Sequence, residues 1–397
     1  DNNYPSYEDL YRNGFVHSRV KAYQEVGVDV DVFRFQKDTA VSWHEFQDID
    51  VTTGSKIALN RLLSSGRYKH VLVHFLDAEM WDVLSQFVDK VKITIWVHGA
   101  DIQPWYRRKF NISTLEQKAK AVELSDRRMA FWKSILKPIH PNMKLVFVSK
   151  YFAEEVMEDL GFRLPQSSYE IINNPIDTTL FKYREKSVEL RKKILSIRPY
   201  ASKVYANDLT VKCILELSDE PFFNELEFRI IGDGALFEET VEPVRKFSNV
   251  IIEQRFLSQT EIAEIHKYYG VFLCPSRMDT QGVSRDEAMS SGLVPITSAV
   301  AAIPEFLDSK KGFLIHDENV SEFATAVKTL FQDVATFQQM SRDASISVQN
   351  SRSKEIDKIA KKEKYDMIFE KSRQSVLFAK SALDITKKVV KGYENTK

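Results

Sequence analysis

Cysteine is scarce in this chain. Only Cys213 and Cys274 occur among 397 residues, and neither has a Cys-x-x-Cys partner or a Cys/His neighbour at the spacing of zinc ligands. The sequence therefore gives no indication of a structural zinc site, and so few cysteines are typical of a protein from the reducing cytoplasm.

The chain also lacks an excess of charge and a long apolar run. Its 56 lysines and arginines balance 56 aspartates and glutamates, so we expect no long-range attraction to nucleic acid. No apolar run approaches the roughly 20 residues that cross a bilayer, and no basic-then-apolar signal segment opens the chain. We expect a soluble cytoplasmic protein, bound at most to the inner face of the plasma membrane.

Length and strand rhythm predict two α/β domains. A chain of this size exceeds the roughly 100 to 200 residues of one ordinary domain. Short apolar runs alternate with helical patterns, and their continuous apolar character indicates parallel strands covered by helices on both faces. These runs begin near residues 28, 70, 93 and 145 in the first half, and near 193, 228, 250, 271, 293 and 312 in the second.

The domain boundaries follow from that rhythm. We place an N-terminal domain at residues 1–185, a C-terminal domain at 186–365, and closing helices at 366–397 that pack back on the N-terminal domain. The opening segment has the pattern of a polar loop entering a helix, so we expect the first strand of the N-terminal domain to be missing. Ligands of open α/β sheets bind beyond the carboxyl ends of the strands, so the site is expected between the domains.

The strongest motif is MDTQGVSRDEA, in which Asp279 lies before a glycine and Glu287 lies after it. Asp279 precedes a predicted helix and Glu287 lies about one turn inside it. Backbone amides at Gly282, Val283 and Ser284 would begin that helix and form an anion site suited to a diphosphate. Glu287 could then accept hydrogen bonds from ribose hydroxyls, and Asp279 from those of a sugar. The alternative is that both acids are merely solvated residues of a helix start.

This stretch resembles family 4 of the retaining glycosyltransferases, which have the GT-B fold of two Rossmann-like doubly wound parallel-sheet domains facing a central cleft. The family signature has two glutamates eight positions apart around a glycine-containing loop. The resemblance implies that Asp279 contacts the donor sugar, that the loop from Gln281 to Ser284 contacts sugar and phosphates, and that Glu287 holds the ribose. It also implies a nucleotide-sugar co-substrate with no metal or other cofactor. Asp279 stands where glutamate is usual, which bears on the identity of the sugar.

A second motif, SIRPYASK, places Arg198 and Lys203 just after the strand that opens the C-terminal domain. The resembled family has the same two cations there. A departing nucleoside diphosphate gathers negative charge, which a fork-shaped arginine and a lysine can stabilise. Alone, such a pair is most often a pair of surface charges, and its position relative to Asp279 and Glu287 favours the catalytic interpretation.

Glycines also mark the predicted nucleoside region. Gly232-Asp233-Gly234 ends a strand, and in the resembled family this turn lies under the nucleoside. No third glycine completes the dinucleotide fingerprint, so a nicotinamide enzyme is disfavoured. The resemblance further implies that the main chain at Phe256 and Leu257 meets the base.

The first half contributes two more candidates. His98 follows a predicted strand at its carboxyl end, where the resembled family commonly has a histidine facing the sugar, although a lone histidine beside a strand is more often structural. Asn13 and Gly14 resemble the family's glycine-rich loop near the phosphates, with Asn13 in place of a glycine.

Residues 105–144 are basic and aromatic. Such a mixture suits an anionic membrane surface or a lipid-linked acceptor with a diphosphate, and a solvated basic helix face explains it equally well. The segment has three acids, Glu116, Glu123 and Asp126, and ten basic residues: Arg107, Arg108, Lys109, Lys118, Lys120, Arg127, Arg128, Lys133, Lys137 and Lys144. Its aromatic residues are Trp105, Tyr106, Phe110, Phe131 and Trp132.

Other functions remain open at this point. A metal-dependent transferase would need an Asp-x-Asp; Asp29-Val30-Asp31 falls in a strand pattern and Asp48-Ile49-Asp50 in a polar loop, so neither is expected to hold a metal. A GT-B nucleotide-sugar epimerase would form product without an acceptor, and a catalytically silent binding module would need no Arg198 or Lys203. The favoured function is transfer of a hexose or deoxyhexose from a UDP-sugar to a glycan or lipid-linked glycan in bacterial O-antigen or capsule synthesis.

Overall fold

A computed structural model describes residues 3–8, 13–25 and 27–352. The chain forms two compact units. Of the described residues, those up to 96 and 140–145 belong to the first unit, and 97–139 and 146–352 belong to the second. The domain boundary at residue 185 stays a prediction, and the predicted helices at 366–397 lie outside the described residues.

Strands and helices alternate along most of the described chain. The strands are β1 (Val32–Phe35), β2 (Ser42–Phe46), β3 (Ile49–Gly54), β4 (His70–His74), β5 (Lys92–Trp96), β6 (Met143–Phe147), β7 (Tyr169–Ile171), β8 (Lys193–Ile197), β9 (Glu227–Gly232), β10 (Val250–Gln254), β11 (Val271–Leu273), β12 (Val294–Ser298) and β13 (Phe313–Ile315). The α-helices are α1 (Gly14–Glu25), α2 (Lys56–Ser64), α3 (Ala78–Leu84), α4 (Leu115–Leu136), α5 (Lys150–Leu160), α6 (Asn207–Leu217), α7 (Phe237–Val241), α8 (Gln259–Ile265), α9 (Val283–Ser290), α10 (Ile303–Phe306), α11 (Val320–Gln332) and α12 (Val334–Arg352).

The first unit combines parallel and antiparallel strand pairs. β3 lies between β1, to which it is parallel, and β2, to which it is antiparallel. β4 and β5 pair in parallel, with His70 opposite Lys92. A small core of Tyr4, Val16 and Val51 packs helix α1 on the first sheet.

The second unit contains a six-stranded parallel sheet with the order β10-β9-β8-β11-β12-β13. From β8 the chain moves outward to β9 and β10, and then returns to place β11 on the other side of β8. The sheet is therefore doubly wound: all strands stay parallel, but the direction in which the chain adds strands to the sheet reverses between β8 and β11. Ligands of such sheets bind at this reversal, beyond the carboxyl ends of the strands, so the residues after β8 and β11 are the first candidates for a site.

The central strands of this sheet are largely buried because both faces are covered. All five residues of β12 are buried, and Ile230 and Val271 are buried in the core that includes α6 and α11. The opposite face packs Leu195, Ile231 and Phe272. Continuous apolar runs in the sequence thus predicted this parallel sheet correctly.

Helix starts in the second unit carry the expected capping side chains. The Thr114 hydroxyl accepts from the Gln117 amide at the start of α4, and Gln117 completes a capping box. The Ser149 hydroxyl accepts from Phe152 at the start of α5. These caps satisfy amides that a helix start leaves without partners.

The strand assignments near the N-terminus need correction. The predicted strand at residues 28–33 begins only at Val32, so Asp29-Val30-Asp31 precedes it. The Asp48 segment is not a loop throughout, because β3 begins at Ile49. Gln47 and Asp48 both have positive φ angles, 48° and 67°, which form the tight turn of the β2–β3 hairpin. Such a short hairpin of mixed polarity resembles a loop in the sequence.

Candidate active site

Arg198 lies directly after β8, at the reversal point of the parallel sheet. Its side chain is 6% exposed, and its amide donates to the carbonyl of Ile231. The guanidinium Nη1 donates to the Ser284 hydroxyl at 2.9 Å, and the group lies 5.0 Å from the centre of the Tyr205 ring. Among the described residues, the buried Nε finds no hydrogen-bond partner. The arginine therefore retains a donor for a ligand.

Helix α9 begins beside this arginine. Gly282 precedes it with a φ angle of 95°, a left-handed conformation that favours glycine. A Cβ at this position would lie 2.7 Å from Arg285 Nη1. Val283 and Ser284 are the first residues of the helix, so their amides lie at the positive end of the helix dipole. The Arg198 guanidinium lies at the same helix end. The structure thus brings together Arg198 and the predicted anion-binding loop.

Lys203 begins a short 3₁₀ helix, Lys203–Tyr205, and its side chain is exposed. Its ammonium lies 3.4 Å from the Ser113 hydroxyl, and its amide donates to Asn111 Oδ1 at 3.1 Å. Arg198 and Lys203 therefore have different side-chain partners here. Tyr205, at the end of the same turn, links it to the Arg198 guanidinium.

Asp279 lies in the loop after β11, the second strand at the reversal point. Its side chain is half-buried and accepts from the amide of Gln281 at 3.1 Å, and its carbonyl accepts from the amide of Ala302. The neighbouring Thr280 lies against Gly99, because its Cγ2 would be 3.6 Å from a Cβ placed there. The Asp279 loop and the His98 loop are therefore close neighbours.

The His98 loop is held by an aspartate that sequence reasoning missed. The amides of His98 and Gly99 donate to Asp101 Oδ1 at 3.0 and 2.8 Å. Burial raises the pKa of Asp101 to about 6, although these backbone bonds and the charge of Arg108 oppose the rise. Asp101 closely follows Gly99 after a strand end, and the general enrichment of glycine and aspartate in turns is the local signal that could have identified it.

Glu287 is half-buried within α9. Burial raises the pKa of its carboxyl group to about 8, the charge of Asp286 raises it further, and a hydrogen bond from Gln259 lowers it. The free protein therefore holds Glu287 largely protonated at neutral pH, a state that the sequence alone did not suggest.

The Gly232-Asp233-Gly234 turn packs against the chain that follows Arg198. A Cβ on Gly232 would lie 2.0 Å from the Arg198 carbonyl oxygen, and one on Gly234 would lie 2.4 Å from the amide nitrogen of Ala201. Asp233 accepts from the Tyr200 amide through its carbonyl. The two glycines thus allow the backbones after β8 and β9 to approach each other.

Three predicted donor-binding residues have distinct environments. Gln281 is 1% exposed, and its carboxamide bonds to the amide and carbonyl of Asn174 at 2.6 and 2.9 Å. Leu257 is 2% exposed and its side chain packs in the core, whereas Phe256 is 50% exposed. The buried Leu257 side chain leaves only its main chain for a ligand, and the contact with the base stays a prediction. The Gln281 side chain fixes the loop on Asn174.

Asn13 and Gly14 belong to the first compact unit. Gly14 begins α1, and Asn13 precedes it with a φ angle of 50° while its Nδ2 donates to the carbonyl of Asn3. Their role at a phosphate stays a prediction.

The basic and aromatic residues of 105–144 do not form one surface. Arg107 donates to Asp159 Oδ1 at 2.9 Å and is paired with acids of α5. Arg128 donates to a backbone carbonyl at 2.8 Å, and Trp132 is fully buried. Because several of its charges and aromatic rings are used within the fold, contact with an anionic membrane stays a prediction.

A buried ion network lies next to the candidate loop and was not foreseen. Asp286 is fully buried, with Oδ1 accepting from Arg285 at 2.8 Å and Oδ2 lying 3.2 Å from Arg352 Nε. Both guanidinium groups lie over the ring of Phe306, at 5.8 and 5.5 Å. Two arginines thus offset the Asp286 charge near the helix start, so that it opposes an incoming anion less.

Within the described ranges, no cluster of three or more His, Cys, Asp or Glu side chains could hold a metal ion. Asp31 of the first Asp-x-Asp triplet accepts a hydrogen bond from the Tyr68 hydroxyl at 2.5 Å, and the expectation that neither triplet holds a metal stays a prediction. In the same ranges, no helix is both long enough and apolar enough to span a membrane.

The parallel sheet of the second unit matches a known protein family. Residues 191–333 match the family model described as Glycosyl transferases group 1. This segment is similar to the group 1 glycosyltransferases. It contains Arg198, Lys203, Asp279 and Glu287, and α9 with its glycine cap.

A curated relative matches part of the chain. Sulfoquinovosyl transferase SQD2 of Arabidopsis thaliana is 29% identical over 171 residues, which are 41% of this chain and 33% of that protein. The match therefore spans a third of the relative's length.

Solved structures extend the likeness to most of the chain. Sucrose-phosphate synthase from Thermosynechococcus elongatus has a TM-score of 0.69 at 16% identity, covering 91% of this chain and 94% of that one. The Escherichia coli structure described as trehalose-6-phosphate bound with UDP-2-fluoro glucose has 0.60 at 10% identity, covering 85% and 93%. HepE of Anabaena in complex with UDP and glucose has 0.59 at 12% identity, covering 81% and 87%. The fold is GT-B, as the sequence predicted.

A second family model, described as Outer membrane protein (OmpH-like), matches residues 318–393. Much of that range lies outside the described residues. Within them it consists of α11 and α12, and α11 packs on α6 of the group 1 segment.

Proposed function

We propose that this chain is a retaining, metal-independent glycosyltransferase that moves a hexose or deoxyhexose from a UDP-sugar to a glycan or lipid-linked glycan. The observation that carries the proposal is the Arg198 guanidinium fixed on Ser284 at the start of α9. A fixed arginine beside free helix amides is suited to the charge that a departing diphosphate acquires.

The other candidates fit roles around that diphosphate. Asp279 and the His98 loop are close to each other at Thr280 and Gly99, so they can meet the same sugar. Glu287 is one turn further along α9, where a ribose next to the diphosphate would lie. Lys203 adds a mobile positive charge from the turn that also holds Tyr205.

The choice of UDP rests on the solved structures. HepE is described with UDP and glucose, and the Escherichia coli structure with UDP-2-fluoro glucose. Retention and bacterial surface-polysaccharide synthesis rest on the sequence resemblance alone, and both are part of the proposal.

A thermal-shift screen tests donor binding. The wild-type chain is melted with UDP, GDP, dTDP, CMP and their sugar conjugates, with and without EDTA. At 100 times its dissociation constant a ligand adds about 2.7 kcal/mol of stability, so UDP and UDP-sugars should raise Tm, and EDTA should not remove the shift. A shift that needs a divalent ion would contradict metal independence, and no shift with any nucleotide would contradict the proposal as a whole.

Two arginine variants sharpen the screen. Arg198→Ala should fold but lose most of the UDP shift, because it removes the fixed guanidinium from the start of α9. Arg245→Ala is the matched control, since Arg245 pairs with Glu238 and Glu242 on the surface and should keep the full shift. With an active acceptor, loss of the guanidinium should lower kcat about 10²- to 10³-fold. The anomeric configuration of the product, read by proton NMR, tests retention.

A further inference from the structure

The turn that carries Lys203 is too short to hold its own shape. It is a single 3₁₀ turn of three residues, Lys203–Tyr205, and the chain leaves it through Ala206 in a left-handed conformation with a φ angle of 46°. One such turn has few internal hydrogen bonds and a costly nucleus. Contacts from other segments must therefore fix the backbone of Lys203.

Asn111 supplies one of those contacts from a distant part of the chain. Its Oδ1 accepts from the Ser202 hydroxyl at 3.0 Å and from the Lys203 amide at 3.1 Å. Ser202 Oγ accepts in turn from the Val204 amide at 3.2 Å. One carboxamide oxygen thus holds the entrance of the turn both directly and through the serine that caps it.

Arg277 holds the same turn from the other side. Its Nη1 donates to the Lys203 carbonyl at 3.0 Å, and its amide donates to the Val204 carbonyl at 2.8 Å. The guanidinium is itself fixed by Asp208 and Glu318. Arg277 lies two positions before Asp279, so this side of the clamp belongs to the candidate loop.

The Lys203 ammonium is held far less firmly than its backbone. Its hydrogen bond to Ser113 Oγ is 3.4 Å long and the side chain is exposed. A long bond at the surface contributes little. The ammonium can therefore leave Ser113 for an anion while its backbone stays in place.

We infer that Asn111 is a positioning residue for Lys203, which it fixes for contact with the diphosphate of the donor. The inference rests on the proposed function. Asn111 ends the 3₁₀ segment Trp105–Asn111, and Tyr205 connects the Lys203 turn to Arg198. Without the Asn111 oxygen, the turn keeps the Arg277 hydrogen bonds but loses those at Ser202 and the Lys203 amide. The lysine then contributes less to diphosphate binding.

A double-mutant cycle read by UDP titration calorimetry tests this role. Lys203→Ala should weaken UDP binding about tenfold or more, as expected for a charge-assisted contact. Asn111→Ala should weaken it by a smaller factor. The double variant should bind UDP as Lys203→Ala does, because Asn111 acts through Lys203. Additive losses would overturn the inference, since a general structural effect of Asn111 would persist without the lysine.

Two further variants separate the Asn111 oxygen from its surroundings. Asn111→Asp keeps an accepting oxygen, and in high salt, which screens its added negative charge, it should bind UDP within about twofold of wild type in the same buffer. Ser113→Ala removes only the resting contact of the ammonium and should bind as well as wild type. A loss in Ser113→Ala equal to that in Asn111→Ala would overturn the inference. Melting temperatures of all variants, measured without ligand, should match wild type because Asn111 is exposed.

The cycle also distinguishes failure of the two proposals. If the wild-type chain does not bind UDP, the proposed function fails and the inference fails with it. If wild type binds UDP and Asn111→Ala binds it equally well, the donor proposal stands and only the positioning role is lost.

Discussion

Glu287 has a carboxyl group whose ionisation is opposed by its surroundings. Burial and the neighbouring charge of Asp286 raise its pKa to about 8, against a lowering by Gln259. A ribose diol donates best to an ionised carboxylate, so a donor that uses Glu287 in this way must displace a proton at neutral pH. The residue thereby couples donor binding to pH.

We predict that UDP affinity rises as pH increases from 7 to 9 and levels off above the Glu287 pKa. Below that pKa part of the binding free energy is used to remove the proton. Calorimetry in two buffers of different ionisation enthalpy should show proton release on binding at pH 7. Glu287→Gln should bind UDP more weakly and lose this pH dependence; a wild-type affinity that is flat from pH 7 to 9 would contradict the ribose role.

The raised pKa of Glu287 also sets the direction in which stability changes with pH. Its folded-state pKa lies above the ordinary glutamate pKa of 4.5, so its contribution to the free energy of unfolding is full below that ordinary value. It is lost as pH rises through about 8, because the unfolded chain releases the proton first. Relative to wild type, Glu287→Gln should therefore gain stability as pH increases from 5 to 8 in urea titrations.

At the scale of elements, the site depends on the close approach of two strand-end loops. Gly232 ends β9, and the space for its side chain is occupied by the carbonyl of Arg198 at 2.0 Å and the ring of Tyr200 at 2.8 Å. Neither obstacle is the end of a flexible chain. The turn after β9 therefore fixes the backbone that carries Arg198.

Gly232→Ala should lower the free energy of unfolding by about 1 to 3 kcal/mol, the range for overpacking, and should weaken UDP binding because Arg198 shifts. Urea unfolding and calorimetry measure the two effects. Gly14→Ala is the control for stability alone, since no atom of the described residues lies within 4 Å of its Cβ position and Gly14 is itself a predicted phosphate contact. It should leave stability unchanged or slightly raised. Equal losses at both glycines would argue against the steric explanation.

At the scale of the molecule, a buried charge network joins segments that are far apart in sequence. Asp286 in α9 pairs with Arg352 at the end of α12, and the Arg352 carbonyl accepts from the amide of Ile176 at 2.8 Å. Phe306 of α10 lies beneath the guanidinium groups of Arg285 and Arg352. The Asp286–Arg352 pair thus joins α9 to α12, and Arg352 in turn contacts α10 and the backbone at Ile176.

Asp286→Ala should lower the free energy of unfolding by about 3 to 5 kcal/mol, because it leaves two buried guanidinium groups without their counter-charge. Chemical denaturation measures the change. Asp126→Ala, at an exposed position of α4, should stay within about 0.5 kcal/mol of wild type. A small effect at Asp286 would mean that water or rearranged side chains solvate the arginines.

The sequence by itself determined the α/β fold and the types of residue available for the site. Continuous apolar runs at 193, 228, 250, 271, 293 and 312 predicted the parallel sheet, because strands buried on both faces leave that pattern in one dimension. The motif around Gly282 predicted a helix start that the structure places beside Arg198. Both signals are local, since each depends on residues that are neighbours in the chain.

Only the tertiary structure decided which of these residues meet and in what state. Lys203 is held by Asn111 from 92 positions away, and Asp286 by Arg352 at the end of the described chain. The raised pKa of Glu287 and the dispersal of the basic 105–144 segment have the same origin. Burial and ion pairing depend on what packs against a side chain, and packing partners are chosen by the fold rather than by sequence spacing.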